Sequence, residues 1–529
     1  MRLKPLALLI PLALVACKKS ADLSPEDITG PLYGDLLIAS GDVTFESALV
    51  WARAPGEAWL QVEVMNHGRG LRWLSEPVRV TAETDFATTI QVDNLPPLTR
   101  LDYNVVAVPA GEAEEPPWDF HASPPSGSLT AVGHFSTAPR TSDSNGVSII
   151  VGGDLGGQGW CRPPEEGYRV FKAMTALEPD LFLANGDMIY ADDECPALAP
   201  DERENVRGDF LSVADARVDW TDASLTREAI FAHWRYNRSD KHQQRFLAET
   251  PMVAQWDDHE VINDFGASWD AHSAHRKRAG YPTLVEAGQD AFFAWNPITP
   301  NADEPRRIYR SLRWGRHAEL FVVDARSYRD KNSAVAGASR TLLGAEQRDW
   351  LVASLKASTA TWKVVSVDVP ISIPTGSKPW RHGRDGWANG EGANPPEGRG
   401  DRSMQTGYES ELAAILATLD RADLEGVVFV TTDVHFAQTI RYDVDADGDG
   451  DDFTFYEFVV GPLRAWQGEP GPLDPTFGPT SLYAEGGHNG FGRLKITPTP
   501  DGRSADLRYE HFDDYGRLRD GSVLELSAR

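Results

Sequence analysis

The sequence predicts a two-part α/β chain: a small antiparallel β-sandwich, then a larger domain built on parallel strands. Three observations predict it. Between Ala39 and about Pro139, short β-like runs alternate with turn signals and show no helical period. From Val147 onward, apolar runs of strand length alternate with amphipathic stretches, the βαβ pattern of a parallel sheet. At 529 residues the chain also exceeds what a single core usually holds.

The N-terminus carries Arg2 and Lys4, then the apolar run Leu6 to Val15. That run is too short to span a bilayer and has the anatomy of a secretory leader. Its end, Leu14-Val15-Ala16-Cys17, resembles a bacterial lipoprotein lipobox, which implies cleavage before Cys17 and a lipid on its sulfur. Residues 1–17 are therefore read as a signal peptide and 18–38 as a tether. By analogy with lipoprotein sorting, Lys18 favours an outer membrane where one exists. The expected location is the periplasm or cell surface, with the protein anchored through its lipid. The formal charge of −28 argues against nucleic-acid polymers as partners. Of three cysteines, Cys161 and Cys195 remain, an even number in an oxidising compartment. Each lies shortly after a predicted parallel strand, so a disulfide between neighbouring loops is expected, with a thiolate metal ligand as the alternative.

The sandwich (39–140) comprises runs at Ala48–Ala52, Trp59–Met65, Glu76–Val80, Ala87–Val92 and Tyr103–Val108, with 111–128 as an acidic, Pro-rich loop. Leu95 to Tyr103 resembles the tyrosine-corner stretch of fibronectin type III domains, and His134 to Pro139 resembles their closing strand. The second domain (146–529) begins with the strand Val147–Val151, a helix near Gly167–Leu177 and the strand Leu181–Ala184. A helical region over Arg227–Glu249 precedes the strand Met252–Trp256. Further helices are expected at Leu284–Trp295, Gly344–Ala357 and Thr406–Leu419, and strands at Arg307–Arg313, Ala318–Asp324, Trp362–Val367 and Gly426–Val430. Residues 374–403, rich in Gly, Pro and charge, read as a long loop, and the last stretch returns to β-like runs.

Polar residues follow strand after strand: Gly153-Asp154, Gly186-Asp187 with Tyr190, Asp257-Asp258-His259-Glu260, Asp368, and Asp433-Val434-His435. In an open α/β sheet ligands bind at the carboxyl ends of strands. Repeated acids gathered there repel one another unless cations lie between them, so the pattern points to a metal site.

The order of these motifs resembles that of the calcineurin-like metallophosphatases. Gly153-Asp154-Leu155-Gly156 and Gly186 to Tyr190 are similar to the purple acid phosphatase versions, while Trp256 to Asn263 looks like the WDDHEVxN block of the alkaline phosphatase D family. Asp324 to Arg329 and Asp433-Val434-His435 resemble that family's other blocks. The resemblance implies an αββα metallophosphatase domain and a dinuclear or trinuclear centre of Fe3+ with Ca2+, Mn2+ being a substitute. It further implies that Asp187 bridges two metals, that Tyr190 binds iron through its phenolate, and that Asp154, Asp258, Asp433 and His435 complete the ligand set. His259, with Asp258, would be catalytic, donating a proton to the leaving oxygen and oriented by Glu260. Two cations roughly 3.5–4 Å apart would supply a hydroxide at neutral pH.

Two positions depart from the pattern. The first motif of alkaline phosphatase D commonly carries Cys where Asp154 stands, and Asp368 falls where purple acid phosphatases have a metal-binding His. Both place oxygen where a softer donor is usual, which favours hard cations over zinc. Arg326 is a candidate phosphate clamp, as is Arg329, the alternative being scaffold pairing with Asp324 or Asp330. Asp443 to Asp452 alternates Asp with Gly like a calcium loop, without the closing Glu; structural Ca2+ and a bare acidic hairpin are the two readings.

The expected activity is hydrolysis of phosphomonoesters or phosphodiesters. The alternatives are a phospholipase D-like phosphodiesterase acting on lipid headgroups and a non-catalytic, calcium-binding surface protein. His259 argues against the last, since a structural metal site has no use for an adjacent acid.

Overall fold

The structure, a computed structural model, describes residues 35–111, 116, 124–266, 281–332, 339–376, 383–390 and 407–528. The leader with Cys17, most of the tether, and parts of the 111–128 and 374–403 loops lie outside the described residues.

The N-terminal part contains β1 (Leu37–Gly41), β2 (Ser47–Arg53), β3 (Ala58–Asn66), β4 (Leu71–Leu74), β5 (Val78–Val80), β6 (Ala87–Asp93), β7 (Arg100–Pro109) and β8 (Leu129–Ser136). The strand β1 opens within the stretch expected as tether. Strands β1, β2 and β6 pair antiparallel and face a second sheet ordered β4-β3-β7-β8. Between them lies one apolar cluster that includes Val50, Leu60, Tyr103 and Phe135. Alternation explains the arrangement: in β3, Leu60, Val62 and Val64 point inward while Glu63 and Met65 are half-exposed.

The α/β part continues with β9 (Val147–Gly152), α1 (Arg169–Thr175), β10 (Leu181–Asn185), α2 (Ala223–Arg238), α3 (Lys241–Glu249), β11 (Met252–Gln255) and α4 (Tyr281–Trp295). Then come β12 (Arg310–Trp314), β13 (Ala318–Val322), α5 (Ala345–Ala357), β14 (Trp362–Ser366), α6 (Glu409–Asp420) and β15 (Val427–Thr431). The chain closes with β16 (Ala437–Val444), β17 (Phe453–Val459), β18 (Thr480–Glu485), β19 (Gly490–Pro498), β20 (Ala505–Asp513) and β21 (Leu524–Ser527). The single helical region expected over 227–249 is two helices. Asp240 ends the continuity because its carboxylate accepts the N–H groups of His242 and Gln243, capping a new helix.

Two sheets stack face to face. One is ordered β21-β20-β19-β9-β10-β11-β1-β2-β6 and the other β12-β13-β14-β15-β17-β16-β18. In the second sheet successive residues belong to different cores: Leu320, Val364 and Val428 pack toward the first sheet, whereas Phe321, Val365 and Phe429 pack under α5 and α6. Helices α1 to α4 cover the other side of the first sheet through residues such as Phe171, Trp234 and Phe292. The layers are thus α-β-β-α, and strands buried on both faces read as unbroken apolar runs.

The first sheet does not stop at the end of the α/β part. Strand β1 pairs in parallel with β11, Gly41 opposite Met252, so one nine-stranded sheet runs from the sandwich through the strands that carry the site. Trp51 of β2 reinforces the join: its indole N–H donates to Ala294 O at 2.7 Å and its ring lies 5.3 Å from that of Trp295. Beside it, Asp85 accepts from Arg53 at 3.3 Å and from Arg235 of α2 at 2.8 Å, all three buried.

Candidate metal centre

The carboxyl ends of β9, β10 and β11 meet those of β14 and β15 at one end of the stacked sheets. Each chain turns sharply there. Asp154, Asp187, Asp433 and His435 have φ of 60°, 51°, 70° and 61°. Left-handed backbone at non-glycine residues costs on the order of 1–3 kcal/mol each and is held where surrounding structure imposes it. Gly186, at φ 85°, admits no side chain: a Cβ would lie 2.6 Å from that of Asp257.

Asp154, Asp187 and His435 bring one ligand atom each within 4.8 Å of one another, all three buried. Tyr190 belongs to the same group, its hydroxyl 2.9 Å from His435 Nε2. His435 Nδ1–H donates to Trp466 O at 2.7 Å, which leaves the Nε2 lone pair for the cluster. Both carboxylate oxygens of Asp154 are buried with no hydrogen-bond partner. Burial, then the neighbouring Asp258, Glu260 and Asp154 charges, push the Asp187 carboxyl well above its usual range, although His259 opposes the shift. Burial, then Asp187 and Asp154, raise the Tyr190 phenol well above its own. A cation would relieve this crowding of negative charge, and hard oxygens with one imidazole fit a hard metal ion.

His259 adjoins this group, its ring 4.2 Å from that of Tyr190. Its backbone N–H donates to Asp187 Oδ1 at 3.1 Å, and its Nδ1 meets Asp192 Oδ1 at 2.5 Å. The other Asp192 oxygen accepts from Asn263 N at 3.0 Å. Burial alone would lower the His259 pKa, but Asp192, Asp258 and Asp187 outweigh it and hold the imidazole well above its ordinary value. Asp192 therefore orients the ring, not Glu260. The Glu260 carboxylate instead accepts the N–H groups of Met188 (2.8 Å), Asp257 (2.9 Å) and Asp187 (3.2 Å), tying the turns after β10 and β11 together.

A second group surrounds Asp258. Asp257, Asp258 and Asp433 converge, as do Asp258, Asp264 and Asp385. Oxygens of Asp257 and Asp258 are buried without partners. Here Arg326 departs from its expected part as an accessible phosphate clamp. It is fully buried and donates Nε to Asp257 (2.7 Å) and Asp368 (2.9 Å) and Nη1 to Asp385 (2.6 Å). The guanidinium is a built-in counter-charge for the carboxylates, with different acids from those expected of a scaffold arginine. Asp368 is spent on it: its oxygens face Arg326 and Gln255, and it joins none of the convergent groups found among the described residues. Arg329 pairs with Asp385 at 3.0 Å.

The sequence profile of the PhoD-like phosphatases matches residues 151–500, the stretch that carries every one of these side chains. The chain belongs to the PhoD-like phosphatase family. Alkaline phosphatase D of Bacillus subtilis (strain 168) is 26% identical over 377 residues, covering 66% of this chain and 58% of that protein. The chain thus spans 58% of the length of that relative. The solved structure of PhoD superposes with a TM-score of 0.66 at 19% identity, over 93% of this chain and 92% of that one, and shares the fold.

Within this PhoD-like frame the convergent groups unite Asp154, Asp187, Asp258, His259, Asp433 and His435 and add Asp257, Asp264 and Asp385, while Tyr190 joins through His435 and Asp192 through His259. Asp192 had a faint signal, the acidic run Asp192-Asp193-Glu194 close behind Tyr190. Asp385 had none, since it follows no strand. Cys161 and Cys195 form a disulfide joining the loops after β9 and β10, packed on Phe210 and Tyr236. The acidic loop between β16 and β17 lies at the opposite end of the sheet from Asp433, as the parallel pairing of β15 with β17 requires. There Asp445 and Asp447 converge with Asp420 of α6, whose carboxylate accepts the N–H groups of Ala446 (2.8 Å) and Asp447 (3.1 Å).

Proposed function

We propose that this chain is a metal-dependent phosphoesterase that hydrolyses phosphomonoesters or phosphodiesters. One observation carries the reading: the buried, partnerless Asp154 oxygens converge with Asp187 and His435 beside Tyr190, and Asp258, with its own partnerless oxygen, converges with Asp187 and with His259, a histidine backed by its own carboxylate. Asp154, Asp187, Tyr190 and His435 would hold Fe3+, and Asp187, Asp258 and Asp433 would hold Ca2+ or Mn2+. Cations there would neutralise phosphoryl oxygens and acidify a bound water. Asp192 accepts the Nδ1 proton of His259, so Nε2, 4.0 Å from Asp258 Oδ1, faces the same group and carries the transferable proton. In hydrolysis a water oxygen bonds to phosphorus and its proton passes to solvent, the bond from phosphorus to the ester oxygen breaks, and His259 Nε2 gives that oxygen its proton. Arg326 keeps the second carboxylate group assembled without touching substrate.

Turnover of a chromogenic phosphoester by metal-loaded protein tests the reading, with loss in Asp187→Asn and His259→Ala expected. No hydrolysis by the wild type would sink it. Metal analysis with a visible spectrum tests the iron assignment: a phenolate–ferric band should vanish in Tyr190→Phe. The leader and Cys17 support a secreted, lipid-anchored protein, and the Cys161–Cys195 disulfide supports an oxidising compartment. Cys17→Ala should then move the protein from membranes to the soluble fraction.

A further inference from the structure

Trp466 is the one exposed tryptophan among the described residues, with 54% of its surface open. An indole left half in water adds little to a core, yet the backbone on either side of it is pinned to the site. Leu463 and Arg464 donate their N–H groups to Gly153 O (2.8 Å) and Asp154 O (2.9 Å), and Gly468 N donates to His435 O at 2.8 Å. The carbonyl of Trp466 itself receives His435 Nδ1–H, and the two rings stand 6.2 Å apart. The indole is thus an exposed aromatic face carried on a pinned backbone, one ring away from the ligand cluster.

We infer that Trp466 is a specificity-determining residue: its indole stacks on the organic group of the phosphoester, selecting substrates in which that group is flat and aromatic, as in a mononucleotide. The inference rests on the phosphoesterase reading. The indole stands 6.2 Å from the ring of His435, so an ester substituent that extends from the cluster past His435 would meet it, and stacking against a π face needs only a planar partner. Insertion into a lipid surface is disfavoured by the loop's composition and by the chain's charge. The loop continues Gln467-Gly468-Glu469-Pro470, with no second exposed apolar side chain, and the chain's charge of −28 repels an anionic bilayer. That charge excludes nucleic-acid polymers far more strongly than a single nucleotide, whose phosphate cations held by the cluster would neutralise.

The test compares AMP, ribose 5-phosphate and glycerol phosphate as substrates for metal-loaded wild type, Trp466→Ala and Trp466→Phe. The expected result is a fall of about tenfold in the AMP to glycerol phosphate ratio of kcat/KM in Trp466→Ala, in line with base–aromatic stacking. It should be carried by KM and largely restored in Trp466→Phe. An unchanged ratio overturns the inference. So does a dependence on Trp466 that ribose 5-phosphate shows in full, which would assign the contact to the sugar. Calorimetry on His259→Ala, where turnover is stopped, separates the two readings. If the wild type hydrolyses none of the three and no chromogenic phosphodiester either, the phosphoesterase reading fails. The stacking inference then stands only if AMP binds about tenfold tighter than ribose 5-phosphate and loses that preference when Trp466→Ala is added.

Discussion

Asp192 holds one ring nitrogen of His259 at 2.5 Å and so decides which tautomer the cluster meets. Asp192→Asn keeps the shape and removes the charge. Its kcat should fall by about 10²-fold, the usual scale for a displaced general acid, with bound metal unchanged. The pH profile should also move. An acid works while protonated, and without the Asp192 charge the His259 pKa drops, so activity should be lost at lower pH than in the wild type. Asp385 does a different job, since Arg326 and Arg329 both lean on it. Asp385→Ala leaves two buried guanidinium groups short of a counter-charge and should cost about 3–5 kcal/mol in urea unfolding. The contrast shows what the sequence could reveal. Asp154, Asp187, Asp258, Asp433 and His435 were legible because each directly follows an apolar strand. Asp385, remote from any strand, was not, and the sequence left Arg326 open between phosphate clamp and scaffold pairing because burial cannot be seen in a motif.

At the scale of elements, the segment around Asp385 is clasped by α6. Glu409, at the start of that helix, accepts the Asn389 N–H at 2.9 Å and its side-chain amide at 2.7 Å, while Asp474 accepts Gly390 N at 2.8 Å. Burial, with Asp474 nearby, raises the Glu409 carboxyl to about 7. The sign follows: the folded state holds this proton at pH values where the unfolded chain has released it. The group's contribution is full below its ordinary value of 4.5 and is lost as pH rises through about 7. Glu409→Gln should therefore flatten the fall in the urea midpoint between pH 5 and 8, and an equal slope in both proteins would refute the assignment. Element order and type were readable from period and length, down to α5 and β14 within a residue. The break at Asp240 was hidden because the Ser239-Asp240 cap sits inside an otherwise continuous helical pattern.

For the molecule as a whole, the sheet shared by sandwich and α/β part makes the two one cooperative body. Without residues 35–136, β11 would become an open edge, and Trp295 and Arg235 would lose Trp51 and Asp85. The intact chain should unfold in a single transition, and the truncated one should aggregate; two separated transitions in calorimetry would contradict this. The sandwich was legible as a module, but its pairing with β11 was not, since no local pattern announces a strand's second neighbour. The disulfide has a consequence of another kind. Residues 161 to 195, which include β10, Asp187 and Tyr190, form a closed covalent ring. A protease that cuts once inside that ring opens a loop without parting the chain. Such a nick should run as one band on a non-reducing gel and separate into two only once the bond is reduced.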